Sequence, residues 1–133
     1  MTDRYMVLQI KSPILGFESL QSVVLKEMDE LFSTLHTTND SEISFTVLNP
    51  FRLLDEYDIE IPDSVKMKLE IDDDSTIAVY CMVVRQDPVE DSIVNFLAPI
   101  IVNTKKNLLA QVTLNPKDYE HLGIQDPISK YSK

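Results

Sequence analysis

The chain has 133 residues, of which 22 are acidic and 12 are basic, so its formal net charge is −10 at pH 7. This length is that of one ordinary domain, and a hydrophobic fraction of 44% is typical of a globular protein with its own core. Nucleic acids and anionic membranes are bound by clustered Lys and Arg, yet the longest basic run is the pair Lys105 and Lys106. The composition therefore argues against direct nucleic-acid or membrane binding and favours basic protein partners.

The single cysteine, Cys81, lies in the apolar run 77–84, where we expect a small core residue rather than a nucleophile. With one cysteine, no intramolecular disulfide can form. We expect no signal peptide, because the N-terminus lacks a basic leader followed by an apolar segment. No stretch approaches the roughly 18 apolar residues of a membrane span. These features predict a cytoplasmic protein.

Short apolar runs predict four strands in the first part of the chain. Ser12 and Pro13 stop the first strand and Gly16 follows, so residues 11–19 are expected to form a turn or loop. The polar tract 37–41 predicts another turn, and Pro50 ends the fourth strand because proline offers no hydrogen-bond donor. The predicted strands are Tyr5–Ile10, Gln21–Lys26, Leu31–Thr37 and Ile43–Leu48.

The acidic middle of the chain, residues 55–74, supplies most of the negative excess and predicts a charged surface. Within it, Val65 and Leu69 lie four residues apart after a Pro-Asp-Ser start, which predicts a short helix with an Asp or Ser cap. Residues 72–75 predict a turn. The run 76–85 is apolar on both faces and predicts a strand at the centre of the structure.

In the remaining chain, Pro99 is expected to split residues 92–103 into a tight segment and a strand at 100–102. Residues 104–107 predict a turn, Leu109–Leu114 predicts another strand, and a turn-rich tail begins at about residue 115. Seven or eight short strands, about a dozen residues apart, predict an all-β, mostly antiparallel fold. We expect a small barrel-like or sandwich domain with one or two short helices, spanning residues 1–133.

Motifs for catalysis and metal binding are mostly absent. His36 and His121 have no cysteine or second histidine at ligand spacing, and no Gly-x-Ser-x-Gly elbow is present, so we predict no catalytic residue, metal or cofactor. Asp72, Asp73 and Asp74 lack the alternation and the glycine of an EF-hand loop, which favours a solvated turn. Two alternatives stay open, a small metal-dependent hydrolase and a structural subunit of a larger assembly.

Two strand ends carry apolar residues that suit a docking surface. Phe51 follows Asn49 and Pro50 at the end of a strand, and Phe96 occupies a similar corner before Pro99. Aromatic residues rimmed by polar amides are typical of protein interfaces. They are equally typical of plugs that close a core, and the residues alone leave both interpretations open.

Several segments resemble, in the correct order, the flagellar assembly factor FliW family. Asn95–Asn103 is similar to the family segment Asn-Leu-Leu-Ala-Pro-Ile-Val-Ile-Asn, and Phe45–Phe51 is similar to a family strand that ends in Asn-Pro. Ile14–Glu18 resembles a Leu-Pro-Gly-Phe-Glu turn, and Gln111–Leu114 resembles the closing strand. The resemblance covers most of residues 14–119.

This resemblance implies an all-β barrel without catalysis and with two protein partners. One is flagellin, bound through its helical terminal region before export. The other is CsrA, an RNA-binding translational repressor whose targets include flagellin messenger RNA. Flagellin that accumulates in the cytoplasm would occupy the protein and free CsrA. After export, the protein would capture CsrA and translation of flagellin would resume.

The resemblance and the chemistry of the strand ends together assign residues to these roles. An acidic face beside CsrA would repel RNA phosphates over a Debye length of about 8 Å at physiological salt, and we assign this electrostatic exclusion of RNA to Asp72, Asp73 and Asp74. Partner contacts are assigned to the strand-end amides and apolar corners, namely Asn49, Pro50, Phe51, Asn95, Phe96 and Asn103. For the asparagines a purely structural role in turns stays open, since Asn readily bonds its own backbone.

Overall fold

The computed structural model describes residues 5–37, 43–54, 57, 59–72, 76–120, 122 and 126–131. The strands are β1 (Tyr5–Ser12), β2 (Ser22–Glu27), β3 (Phe32–Thr37), β4 (Ser44–Leu48), β5 (Ile77–Val84), β6 (Ile93–Asn103), β7 (Leu108–Gln111) and β8 (Asp126–Pro127). The helical elements are α1 (Asp63–Lys68) and three 3-10 turns at Pro50–Arg52, Val89–Asp91 and Ile128–Tyr131. No helix in the described part of the chain has the length and apolar character needed to cross a membrane.

The sheet closes on itself. Its strand order is β5-β4-β3-β2-β1-β7-β6, and a further pairing of β5 with β6 joins the two ends, so the described residues form a seven-strand barrel. Neighbouring strands are antiparallel except β1 and β7, which run parallel. β8 pairs with the start of β6 outside the closed circuit. The prediction of an all-β, mostly antiparallel, barrel-like fold is confirmed.

The pairing register defines two ends of the barrel. At one end, β2 turns into β3, β4 leads into Asn49, and β6 turns into β7 through residues 104–107. We call it the acidic end because Glu27, Asp29 and Glu30 lie there. The opposite end contains the start of β4, the end of β5 and the start of β6.

β5 is apolar on both faces because it separates two cores. Alternate side chains in a strand point to opposite sides of the sheet. Tyr80 and Met82 pack against the cluster inside the barrel, whereas Val79, Cys81 and Val83 are buried in a second cluster outside it. The expectation of a strand at the centre of the structure is confirmed, since β5 lies between the two clusters and pairs with β4 and β6.

The inner cluster fills the barrel with side chains from all seven strands of the circuit, as small barrels require. The outer cluster covers the wall made by β4, β5, β6 and β7. Over it lie α1 with its C-terminal cap, through Val65 and Leu69, and the C-terminal segment, through Leu122 and Ile128. The helix prediction is confirmed, but the expected Asp or Ser cap is not observed, since Pro62 occupies the cap position.

The prediction that Pro99 splits the segment 92–103 is wrong, because β6 is continuous from Ile93 to Asn103. The register explains why. Tyr80 pairs with Ile100 and Met82 pairs with Asn95, so four residues of β6 lie opposite the single residue Cys81. Such a bulge interrupts the ladder, and a proline within it costs no pairing donor.

The predicted strand Leu109–Leu114 is shorter in the structure, where β7 ends at Gln111. The following residues still run beside β6, since the Val112 N–H donates to the Pro99 carbonyl at 2.9 Å and the Leu114 N–H donates to the Leu97 carbonyl at 2.7 Å. The predicted turn at 104–107 is confirmed. The predicted turn at 37–41 lies, beyond Thr37, outside the described residues, as do residues 73–75 of the turn predicted at 72–75.

Candidate functional site

The corner after β4 presents Phe51 at the surface. Asn49 caps the 3-10 turn, because its side-chain Oδ1 accepts a hydrogen bond from the Phe51 N–H at 3.0 Å. The Asn49 N–H donates to the Leu31 carbonyl at 3.2 Å and so ties the turn to the β2–β3 connection. Pro50 is buried, whereas the Phe51 side chain is 52% exposed. The local sequence thus fixes an exposed aromatic ring at the acidic end.

A buried support lies beneath Phe51. The Phe51 ring contacts the Tyr57 ring edge-on, with centroids 6.0 Å apart, and Tyr57 contacts Phe96 at the same centroid separation. The Tyr57 hydroxyl donates to the Phe96 carbonyl at 2.6 Å and accepts from the Cys81 thiol at 3.6 Å. Phe51 therefore rests on a hydrogen-bonded group that connects the corner after β4 to the bulge of β6.

The two titratable groups in this support are held neutral. Burial raises the pKa of the Cys81 thiol to about 12, and burial also raises the pKa of the Tyr57 hydroxyl, with Cys81 adding to the rise. A nucleophilic cysteine needs a lowered pKa and access to solvent. Cys81 has neither, which agrees with the expectation of a core residue.

Phe96 is not exposed. Its side chain is 0% accessible and belongs to the outer cluster, where its ring contacts Tyr57. The expectation that Phe96 occupies an exposed corner is wrong. Its side chain instead closes the core, which was the alternative that the sequence left open. It offers no side-chain atoms to a partner on this fold.

Asn95, one residue earlier, borders a groove at the end of the barrel opposite the acidic end. Its Oδ1 accepts from the Leu97 N–H at 3.0 Å. The groove, which we call the Asn95 groove, has a volume of about 690 Å³ and is lined by Phe45, Met82, Val84 and Ile93, with Ser44, Thr46, Val83 and Asn95. Val84 is 62% exposed there. No local pattern predicts this groove, because its lining is assembled from three strands, β4, β5 and β6.

Asn103 joins two turns instead of facing solvent. Its side chain is 0% accessible. Its Nδ2 donates to the Leu69 carbonyl at 2.8 Å, and its Oδ1 accepts from the backbone N–H groups of Lys105 and Lys106 at 3.1 and 3.3 Å. The expectation of an exposed contact is corrected here too. Asn103 fixes the residues after α1 to the β6–β7 turn.

The acidic segment after α1 is partly neutralised by one lysine. Lys106 Nζ lies 3.5 Å from a Glu70 carboxylate oxygen and 4.0 Å from an Asp72 carboxylate oxygen. Both acidic side chains are more than half exposed. Of the residues assigned to RNA exclusion, Asp72 lies here at the acidic end, and Asp73 and Asp74 lie outside the described residues.

Within the described residues, no group of three or more His, Cys, Asp and Glu side chains is arranged to hold a metal ion. His36 is half-buried on β3, where it pairs with Ser44 of β4 and Val24 of β2. His121 lies outside the described part of the chain.

Sequence comparisons agree with the fold. The family model described as FliW protein matches residues 1–125. The flagellar assembly factor FliW of Sulfurimonas denitrificans is 45% identical over 121 residues, covering 91% of this chain and 94% of that protein. The flagellar assembly factor FliW of Helicobacter pylori strain G27 is 42% identical over 124 residues, covering 92% of this chain and 91% of that protein.

The structural comparison extends over nearly the same length. A crystal structure of the flagellar assembly factor FliW superposes with a TM-score of 0.81 and 25% sequence identity, covering 92% of this chain and 84% of that chain. The sequence match and the structural match each cover most of the chain. This chain belongs to the FliW family of flagellar assembly factors.

Proposed function

We propose that this protein is a cytoplasmic, non-enzymatic regulator that binds flagellin in a chaperone-like manner before export and binds and antagonises the translational repressor CsrA. Exchange between the two partners would couple flagellin synthesis to flagellin export. Membership of the FliW family supports a role in flagellar assembly. The packed barrel supports binding through its surface, because side chains fill its interior.

The observation that carries this proposal is the exposed ring of Phe51 at the acidic end. Tyr57 and the cap at Asn49 hold the ring in place before any partner arrives. A pre-organised aromatic side chain loses little entropy on binding and is typical of interface hot spots. If both partners contact this corner, flagellin excludes CsrA by occupancy alone.

The other assigned residues contribute in different ways. Asn49 and Pro50 shape the turn that presents Phe51. Phe96 acts through packing beneath that turn. Asn95 would contact a partner only through the Asn95 groove, which offers a second docking surface for a helical flagellin segment.

Negative charge at the acidic end suits the proposed effect on CsrA. A partner docked on Phe51 would lie close to Glu70 and Asp72 if it extends over the segment that follows α1. Like charge next to the RNA phosphates opposes RNA binding without covering the RNA site. Screening limits this repulsion to about 8 Å at physiological salt, so it acts only if CsrA docks at the acidic end.

Three serine substitutions test whether flagellin and CsrA both bind at the Phe51 corner, which we call the shared corner. Phe51→Ser is expected to weaken binding of purified flagellin and of purified CsrA by more than tenfold each, measured by isothermal titration calorimetry, since a hot-spot aromatic contributes about 2 kcal/mol or more. Leu15→Ser is the matched control, because Leu15 is 60% exposed and lies in neither docking surface, whereas Val84→Ser tests the Asn95 groove. Flagellin binding that is lost in the Val84 variant and kept in the Phe51 variant would refute the shared corner.

Charge neutralisation tests the electrostatic part separately. The triple variant Asp72→Asn, Asp73→Asn and Asp74→Asn is expected to bind CsrA but to release RNA from it less completely, most visibly at low salt. The control carries the same change of charge at the exposed residues Glu90, Asp91 and Asp118. Unchanged RNA release by the triple variant across a range of salt would rule out electrostatic exclusion.

A further inference from the structure

A cavity of about 280 Å³ opens at the acidic end, between the start of β1 and the end of β2. Its apolar lining comes from Met6, Leu25, Leu31 and the ring of Tyr80. Pockets for drug-sized ligands measure about 300–1,000 Å³, so this cavity fits a single large side chain better than a free cofactor. The chain brings this lining together from residues 5 to 80, and no sequence motif marks it.

The walls of the cavity are acidic. Glu27, Asp29 and Glu30 line it, and Arg52 is the one cationic residue among its described lining. Asp29 is committed to the β2–β3 connection, because its Oδ1 accepts from the backbone N–H groups of Leu31 and Phe32 at 2.9 and 2.7 Å. In the described part of the chain neither Glu27 nor Glu30 has a cation within ion-pair distance. Two carboxylates thus face an apolar cavity.

Tyr80 connects the apolar floor to the acidic wall. It lines the cavity together with Glu27. Burial raises the pKa of its hydroxyl, and the charge of Glu27 raises it further. An aromatic face next to carboxylates is a favourable place for a flat cation.

We propose that this cavity binds an arginine side chain of a protein partner. The aliphatic stem would pack on Met6 and Leu25 while the head group stays at the rim. The guanidinium would pair with Glu27 and Glu30 and stack on Tyr80, which a planar group with several donors does better than the compact ammonium of lysine. Anionic ligands are excluded by the sign of the wall.

Two exposed apolar side chains are next in sequence to residues of the lining. Met28 lies between two of the wall residues and is about half exposed, and Phe51 is adjacent in sequence to Arg52 of the lining. A partner that inserts an arginine would therefore also bury apolar surface around it, which excludes water from the ion pairs. The inference holds for whichever protein docks at this end and does not require that it be CsrA or flagellin.

The test uses the full chain and small probes. Titration of the ¹⁵N-labelled protein with N-acetylarginine amide, followed by NMR, is expected to give saturable shifts at the backbone amides of Leu25, Leu31 and Tyr80, with a dissociation constant in the millimolar range. The neutral isostere N-acetylcitrulline amide and the compact cation N-acetyllysine amide are expected to bind at least threefold more weakly. No saturable shift, or equal binding of either analogue, would overturn the proposal.

A pair of double variants separates the cavity from general attraction by the acidic surface. Glu27→Gln with Glu30→Gln is expected to weaken binding of the arginine probe at least tenfold. Glu90→Gln with Glu120→Gln makes the same change of charge at exposed residues that do not line the cavity, and is expected to change binding less than twofold. Equal weakening by the two pairs would show non-specific attraction and would contradict the proposal. Because Phe51 is unchanged in all these variants, the outcome is independent of the test of the shared corner.

Discussion

At the residue scale, the Tyr57 hydroxyl is the most constrained polar group beneath the exposed corner. It satisfies the Phe96 carbonyl at 2.6 Å inside the outer cluster. Tyr57→Phe keeps the ring but leaves that buried carbonyl without its donor, so we expect a loss of about 1–3 kcal/mol in the free energy of unfolding, measured by urea denaturation. Tyr5→Phe, on the exposed face of β1, is the control and should change stability by less than about 0.5 kcal/mol. Equal stability of the two variants would contradict the assigned role.

Cys81 makes stability depend on alkaline pH. Its pKa is about 12 in the folded protein against an ordinary 9.0, so above pH 9 the unfolded chain loses the thiol proton that the folded chain keeps. A state that keeps the proton is disfavoured as pH rises, and we expect the free energy of unfolding to fall by about 1 kcal/mol between pH 8 and pH 10 from this group. Urea denaturation at several pH values measures the slope, and Cys81→Ala should flatten it. The same slope in both proteins would refute the attribution.

At the element scale, the strands were predictable where local patterns decide them. Alternating apolar residues located β4, and the all-apolar run located β5, because burial on one face or on both leaves a trace in each strand. The continuity of β6 through Pro99 was not predictable, since it depends on a bulge opposite Cys81. Asn49 and Pro50 at the end of β4 likewise made it predictable that Phe51 lies at a corner.

The same long-range register explains why two assigned contacts proved to be buried. Whether Phe96 and Asn103 face solvent depends on which elements cover the outer wall of the barrel, and α1 and the residues after it do so. Neither residue carries a local signal of that packing. The Asn95 groove and the cavity at the acidic end could not be predicted for the same reason, because each is assembled from several strands.

Asn103 is expected to hold the acidic segment in place. Asn103→Ala removes bonds to Leu69, Lys105 and Lys106, and we expect a loss of about 2–3 kcal/mol in the free energy of unfolding together with faster amide hydrogen exchange at residues 69–72. Asn95→Ala, on the same strand, removes a bond to Leu97 and should cost about 1 kcal/mol or less. Unchanged exchange at 69–72 would show that Asn103 does not anchor this segment.

At the scale of the whole molecule, closure of the barrel gives the chain two cores instead of one. The inner cluster requires the β1–β7 pairing, which joins the two distant parts of the chain that close the barrel. The outer cluster requires that the C-terminal segment return, and there the Ile128 N–H donates to the Ser92 carbonyl at 2.9 Å. Composition predicted a core of adequate size, but only the pairing pattern shows that it is divided.

The net charge of −10 acts on this compact body as self-repulsion. Added salt screens charges that lie more than a Debye length apart, so we expect the melting temperature to rise by about 3 °C or more as sodium chloride is increased from low to near-physiological concentration. Because Glu27, Asp29 and Glu30 lie together in the lining of one cavity, Glu27→Gln with Glu30→Gln should raise the melting temperature at low salt more than Glu90→Gln with Glu120→Gln does. Differential scanning calorimetry measures both effects. A melting temperature that falls with added salt would mean that attractive ion pairs, such as Lys106 with Glu70, outweigh the repulsion.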